Sequence, residues 1–159
     1  MSNVIENDLT LGRRTEEGDA VKNLYLAFVI DDEQCAVEVT SIKEIIGVVP
    51  ITLVPQTEDY IKGIINLRGD IIPVIDMRGR FRKPEIPYDT ETCIVVVLHG
   101  EYILGLIVDR IIGVYNLDVD KISAPPNAKL SYANQFVKNI GRKEDGVLLL
   151  LDLEKILFV

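Results

Sequence analysis

The sequence has no tryptophan, a single histidine and only two cysteines among its 159 residues. A structural zinc site needs four ligands, usually from Cys and His, so this inventory is too small for one. Cys35 and Cys93 each alternate with valines in short apolar segments, and we expect them to be reduced, buried thiols that do not pair. The sequence therefore predicts neither a metal centre nor a cofactor.

Positive charge is also scarce. Lys and Arg number 17 against 25 Asp and Glu, which leaves a formal net charge of -8. A negative surface repels phosphate backbones, and no stretch interleaves basic with aromatic residues. The composition therefore excludes nucleic acid as an expected partner.

Long apolar runs are absent as well. No run reaches the roughly 18 apolar residues that a membrane-spanning helix needs. Residues 1–22 are polar and aperiodic and contain no apolar signal core, so we expect a flexible tail rather than a secretory leader. The expected location is the cytoplasm, without direct membrane insertion.

Catalytic signatures are missing too. His99 has no Ser or Cys nucleophile motif nearby, and the glycines follow no phosphate-loop spacing. Carboxylates recur at the ends of apolar segments as Asp76, Asp109 and Asp152, and two of them could act as an acid and a base. Aspartate also solvates turns at strand ends, and we favour that interpretation. A small β-barrel hydrolase or ligand-binding protein is the alternative hypothesis.

The most informative stretch that is present runs from Tyr60 to Phe81. Its two apolar runs, Ile64–Leu67 and Ile71–Ile75, are rich in β-branched residues and flank the polar turn Arg68-Gly69-Asp70. Such a pattern predicts a β-hairpin. Arg68 would then lie at the tip of a rigid hairpin, where a long charged side chain points toward solvent.

The second half of the chain repeats the first. Residues 136–153 align with residues 60–77 without a gap, and Asp152 falls on Asp76. The period of about 70 residues is too long for a solenoid and suits a small barrel.

Each half offers about five short apolar segments separated by turn residues, with little helix beyond a turn near Leu153–Leu157. The predicted fold is therefore all-β, with two tandem five-stranded barrels. Residues 23–85 would form the first subdomain and residues 86–159 the second.

Three segments of this sequence resemble the CheW family of chemotaxis coupling proteins. They are AVEVTSIKEIIGVV at 36–49, GIINLRGDIIPVIDMR at 63–78 and CIVVVLHGEYILGLIVDRIIGVYNL at 93–117. Each segment alone is a weak signal, but their order is specific. The resemblance covers roughly Leu24 to Phe158.

The resemblance implies two SH3-like five-stranded barrels and a non-catalytic adaptor. Such an adaptor couples the cytoplasmic tips of chemoreceptors to the histidine kinase CheA. The receptor's helical hairpin would dock in a groove between the barrels. One end of the first barrel would bind the regulatory domain of CheA, so that the protein is recruited to membrane receptor arrays through its partners.

The resemblance also implies a set of partner-binding positions: Ile42, Glu44, Gly63, Asn66, Arg68, Gly69 and Val114. Simpler interpretations remain open for several of them. Glu44 and Arg68 could be two solvated charges or one surface ion pair worth roughly 0–1 kcal/mol. Gly63 could allow a bulge or a close strand approach, and the two aliphatic residues could be ordinary core.

Overall fold

The structure is a computed structural model that describes residues 23–55, 60–125 and 131–158. The predicted tail, residues 1–22, lies outside the described residues. Strands occupy most of these ranges, in the order β1 Leu24–Ile30, β2 Glu33–Glu38, β3 Ile42–Gly47, β4 Ile61–Leu67, β5 Asp70–Asp76, β6 Cys93–His99, β7 Tyr102–Val108, β8 Arg110–Asn116, β9 Ile122–Ser123, β10 Val137–Lys143 and β11 Gly146–Leu151. Two short helices, α1 Met77–Arg80 and α2 Leu153–Phe158, follow β5 and β11.

The strands form two sheets, in the orders β8-β1-β2-β11-β10-β9 and β3-β6-β7-β5-β4. This confirms the predicted all-β class with little helix. The strand counts are six and five rather than five and five. The additional strand, β9, pairs with Ile140 and Gly141 on β10, whereas Ile64 on β4 meets only an isolated bridge from Thr52.

Neither sheet is built from one half of the chain. The β1–β2 hairpin joins the second-half strands, where Cys35 pairs in parallel with Leu149. Conversely, the β6–β7 hairpin joins the first-half strands, where Gly105 pairs in parallel with Val74. The two halves thus exchange their hairpins. The division into subdomains between residues 85 and 86 stays a prediction. Strand pairing shows which strands share a sheet, but it does not show which part of the chain folds as a unit.

The internal repeat is confirmed by equivalent backbone contacts. The Asp76 amide donates to the Tyr60 carbonyl at 3.2 Å, and the Asp152 amide donates to the Phe136 carbonyl at 2.8 Å. The register of each hairpin also shifts at the aligned lysine, Lys62 in β4 and Lys138 in β10. The two hairpins are therefore structural copies, one in each sheet.

The main hydrophobic core draws on both sheets. It contains the fully buried Phe28, Phe81 and Phe136, and the rings of Phe81 and Phe136 stack with their centroids 5.7 Å apart. Smaller clusters fill the inner side of each sheet, around Leu148 and around Ile94. Because the largest cluster spans the sheets, we expect them to unfold together.

Polar contacts also tie the sheets to one another. Arg78 of α1 donates to both carboxylate oxygens of Asp109, at 2.8 to 3.1 Å, and its Nη2 lies 3.1 Å from Asp31 in the β1–β2 turn. Only 11% of the Arg78 side chain is exposed. The Asp109 carboxylate also accepts a hydrogen bond from the Asp31 amide at 2.8 Å. One arginine thus fixes the exchanged hairpin to the other sheet.

Replacing this arginine tests the tie. Arg78→Met leaves the partly buried Asp109 carboxylate without its cation, so we expect the free energy of unfolding to fall by about 2 kcal/mol. The measurement is urea denaturation followed by circular dichroism. Lys62→Met is the control: it removes an exposed ion pair with Glu85 and is expected to cost less than about 1 kcal/mol. Equal losses in both variants would contradict the role of Arg78.

The two cysteines lie in different sheets and are both free thiols. Cys35 is fully buried, and this burial, reinforced by the nearby Glu33 carboxylate, raises the pKa of its thiol well above the ordinary value. Burial likewise raises the pKa of Cys93 to about 11. The thiolate is the reactive form, so both side chains are protected from alkylation at neutral pH.

These pKa shifts predict slow alkylation in the native protein. At pH 8 the thiolate fraction of Cys93 falls by roughly 100-fold relative to an ordinary cysteine, and Cys35 is expected to react later still. Intact mass after timed iodoacetamide treatment measures both rates. The same treatment in denaturant is the control and labels both residues quickly. Rapid labelling of Cys35 in the native protein would contradict the burial of its side chain.

Candidate partner-binding site

The turn between β4 and β5 consists of two residues. Arg68 and Gly69 both have positive φ, 53° and 91°, as a type I′ hairpin turn requires. The Asn66 side chain accepts a hydrogen bond from the Gly69 amide at 2.9 Å. Asp70, which the sequence predicted to be part of the turn, is the first residue of β5. The turn is one residue shorter than predicted, and two-residue loops of this type are favoured because their twist matches that of the flanking strands. The hairpin tip is thus rigid, with Arg68 at its end.

Arg68 is not a free surface charge. Its Nη1 donates to both carboxylate oxygens of Glu44, at 2.7 and 2.8 Å, and these hydrogen bonds raise the pKa of the guanidinium above its ordinary value. Glu44 lies on β3, at the opposite edge of the five-stranded sheet from the β4–β5 hairpin. The ion pair therefore brings together the two edges of that sheet.

The pair is nevertheless open to solvent on the arginine side. Side-chain exposure is 71% for Arg68 and 21% for Glu44. Among the described residues, no acceptor binds the Nε or Nη2 groups of Arg68. Glu44 therefore holds the guanidinium in place while two of its donor groups remain available to a partner.

A bulge in β3 sets the direction of Glu44. Ile42 pairs with Val97 and Glu44 with Val96, so Lys43 is the extra residue. In a regular strand, residues 42 and 44 would point to the same face. The bulge keeps Ile42 buried in the core between the sheets and turns Glu44 to the other face, toward Arg68.

Gly63 has a packing role. A Cβ atom built on it would lie 2.3 Å from the Thr52 carbonyl oxygen and 2.8 Å from Cγ2 of Ile51. The adjacent Ile64 exchanges two backbone hydrogen bonds of 2.9 Å with Thr52. Only glycine permits this approach. Whether Gly63 also contacts a partner stays a prediction.

Ile42 and Val114 lie away from the hairpin tip. Ile42 is 6% exposed within the core between the sheets, and Val114 is half-buried against the same cluster. The structure thus brings together Glu44, Asn66, Arg68 and Gly69, and places the two aliphatic positions in and beside the main core. Their partner-binding role stays a prediction, with Val114 the more accessible of the two.

A cleft that no sequence pattern indicates lies where the β6–β7 turn meets the six-stranded sheet. Its volume is about 210 Å³. The lining residues are Val37, Glu38, Ser41, His99, Lys138, Leu151, Asp152 and Leu153. An ion pair and a hydrogen bond border it: Lys138 to Glu38 at 2.6 Å, and His99 Nε2 to a Glu154 carboxylate oxygen at 2.5 Å. These partners are far apart in sequence, and no local motif indicates either pair.

Comparison with known proteins agrees with this geometry. The model of the CheW-like domain matches residues 24–158. The chain belongs to the CheW family. It is 31% identical over 140 residues to the chemotaxis protein CheW of Klebsiella aerogenes, covering 88% of this chain and 84% of that protein. The CheW protein of Helicobacter pylori is 30% identical over 152 residues, covering 96% and 91%.

A solved CheW structure confirms the fold. The scaffolding protein TtCheW from Thermoanaerobacter tengcongensis superposes with a TM-score of 0.79 at 30% identity. The match covers 87% of this chain and 89% of that one. The CheW family consists of non-catalytic scaffolds, in agreement with the prediction that this chain is not an enzyme.

The strand-end carboxylates have structural roles in this CheW chain. Asp76 caps α1 by accepting from the Arg78 amide at 3.0 Å, and it also accepts from the Tyr88 hydroxyl at 3.0 Å. Asp109 is bound by Arg78, and Asp152 faces the Lys155 amide at 3.4 Å in α2. Each carboxylate thus contacts structural donors rather than another carboxylate.

Within the described ranges, no three His, Cys, Asp or Glu side chains are grouped so as to hold a metal ion. The helices described in this chain are all too short and too polar to cross a membrane.

The close approach at Gly63 predicts a large effect of a single methyl group. Gly63→Ala is expected to lower the free energy of unfolding by roughly 1–3 kcal/mol, because its Cβ meets backbone that cannot move aside easily. The control is Gly47→Ala, since nothing lies within 4 Å of a Cβ at Gly47. Urea denaturation of both variants measures the difference. A Gly63→Ala protein as stable as the control would contradict the packing role.

Proposed function

We propose that this chain is an adaptor that couples chemoreceptors to the histidine kinase CheA. Its partners are the cytoplasmic tip of the receptor and the regulatory domain of the kinase. The chain acts in the cytoplasm and reaches receptor arrays through these partners. The observation that carries the proposal is the exposed Arg68, held by Glu44 at the tip of a rigid hairpin in a CheW fold.

The geometry of the tip suits a specific polar contact. The type I′ turn and the Asn66 side chain fix the backbone at Arg68, so little conformational freedom is lost on binding. A guanidinium with two free donor groups recognises a carboxylate or a pair of carbonyl oxygens on a partner. Because the Arg68 side chain is 71% exposed and contributes little to packing, a role in binding accounts for its place at the tip better than a role in folding.

The cleft beside the β6–β7 turn supports receptor binding. Leu151 and Leu153 line it, and charged side chains such as Glu38 and Lys138 border it. Leu151 and Leu153 are 2% and 8% exposed, so a receptor helix would contact mainly the charged border of the cleft. The cleft lies between the two sheets, in agreement with the groove that the resemblance implies for the receptor.

The alternative of a hydrolase or ligand-binding protein has less support. Asp76, Asp109 and Asp152 are bound by structural donors, and we assign them to turns and helix caps. A cleft of about 440 Å³ is lined by Lys62, Glu85, Ile86, Pro87 and Tyr88, and none of these residues is a Ser, Thr or Cys nucleophile. A protein–protein role therefore fits the described residues better.

Substitution of Arg68 tests the proposal. Arg68→Ala is expected to melt within about 3 °C of the wild type, because an exposed turn residue contributes little to stability. Its loss is expected to weaken partner binding by about tenfold or more, as removal of a charge-assisted interface contact does. The measurement is thermal melting beside receptor-dependent stimulation of CheA, on one preparation. Arg68→Lys should restore function only in part, since an ammonium lacks the planar fork.

Two further variants sharpen the result. Arg142→Ala on β10, in the equivalent hairpin of the other sheet, removes an exposed arginine of the same kind and should couple normally. The double variant Glu44→Arg with Arg68→Glu restores the internal ion pair but reverses its direction. If the double variant couples normally, the pair acts only by closing the sheet. A normal response from Arg68→Ala itself would refute the proposal for this residue.

A further inference from the structure

Arg80 is a buried cation at the junction of the two repeats. It lies at the end of α1, and only 5% of it is exposed. Its Nε donates to the Ile156 carbonyl at 2.9 Å, and its Nη2 donates to the Lys155 carbonyl at 3.1 Å. The guanidinium carbon lies 3.9 Å from the ring centroid of Tyr60 and 4.6 Å from that of Phe136.

These two aromatic residues are equivalent positions of the internal repeat. The backbone carbonyl of each accepts a hydrogen bond from the aspartate just before the helix of its own half: Tyr60 from the Asp76 amide, and Phe136 from the Asp152 amide. Arg80 therefore lies between matching parts of the two copies. In the second copy the position equivalent to Arg80 is Ile156, so α2 has no reciprocal arginine and depends on the one supplied by α1.

A buried guanidinium is costly to retain. Among the residues that the structure describes, no carboxylate pairs with Arg80, and its charge is met only by carbonyl groups and aromatic faces. Aliphatic residues of similar volume often replace buried charges without loss of stability. The particular contribution of Arg80 is directional: it binds the carbonyls of the last turn of α2, which lack partners within the helix.

The other end of α2 forms part of the cleft beside the β6–β7 turn. Leu153 lines that cleft, and Glu154 pairs with His99 on its border. The position of α2 therefore sets the shape of one wall of the proposed receptor groove. The β4–β5 hairpin tip, with Arg68, belongs to a different surface at the other end of β5.

We infer that Arg80 is a positioning residue that holds α2 in place and so preforms the cleft for the receptor's helical hairpin. The inference rests on the proposed function. It predicts that loss of Arg80 changes the affinity for one partner and not for the other. Receptor binding in the cleft depends on Arg80, whereas binding of the CheA regulatory domain, which the resemblance places at one end of the first barrel, does not.

The test is Arg80→Met, which keeps the bulk of the side chain and removes the donors. We expect hydrogen exchange of the α2 amides to accelerate by about tenfold or more, with the melting temperature within about 3 °C of the wild type. Affinity for a receptor-tip fragment should fall by about tenfold or more. Affinity for the CheA regulatory domain should stay within about twofold.

Arg82→Met is the matched control. Arg82 is an exposed arginine whose guanidinium carbon lies 4.0 Å from the Tyr132 ring centroid, and no hydrogen bond or ion pair among the described residues joins its side chain to α2. This variant should leave α2 exchange and both affinities unchanged. Arg80→Lys retains the charge and one donor group, so it should restore both exchange protection and receptor affinity in part. It also serves if Arg80→Met does not fold.

Three results would overturn the inference: unchanged α2 exchange in Arg80→Met, unchanged receptor affinity despite faster exchange, or an equal loss of both affinities together with a lower melting temperature. The last result would mean that Arg80 is needed for general stability only. Wild-type protein that binds neither partner would instead refute the proposed function. The exchange comparison would still decide whether Arg80 holds α2.

Discussion

The exchange of hairpins between the two halves is the constraint on which the rest of this structure depends. The β1–β2 hairpin completes the sheet of the second half, and the β6–β7 hairpin completes the sheet of the first. Each parallel pairing joins strands from different halves of the sequence, Cys35 with Leu149 in one sheet and Val74 with Gly105 in the other. The main core is shared between the sheets as a consequence. Arg78 and Arg80 add polar contacts across the same junction.

Duplication supplied equivalent positions, and the two copies then use them differently. The residue two positions after the capping aspartate is Arg78 in the first copy and Glu154 in the second, and each reaches the turn of a hairpin in the opposite sheet. The arginine makes a largely buried network with Asp109, whereas the glutamate makes an exposed pair with His99. The first junction is rigid for that reason. The second borders the cleft that we assign to the receptor.

The candidate site follows the same division between scaffold and function. Gly63 and Asn66 have structural roles. Gly63 allows the close approach of the Thr52 backbone, and the Asn66 side chain accepts a hydrogen bond from the Gly69 amide in the turn. Arg68 is the exposed end of the hairpin and has little packing value there, and Glu44 on β3 holds its guanidinium. A scaffold protein needs this combination, because a rigid base lowers the entropy lost when a partner binds.

The sequence by itself determined the strands, the β4–β5 hairpin, the repeat and the family, because these depend on local alternation, turn residues and ordered motifs. It predicted that Arg68 lies at a hairpin tip. It left open whether Glu44 and Arg68 form an ion pair, and it did not reveal that His99 meets Glu154. Only the tertiary structure decided those contacts and the exchange of hairpins. Apolar alternation records which face of a strand is buried but not which strand lies beside it, so pairings between distant segments stay open until the chain is folded.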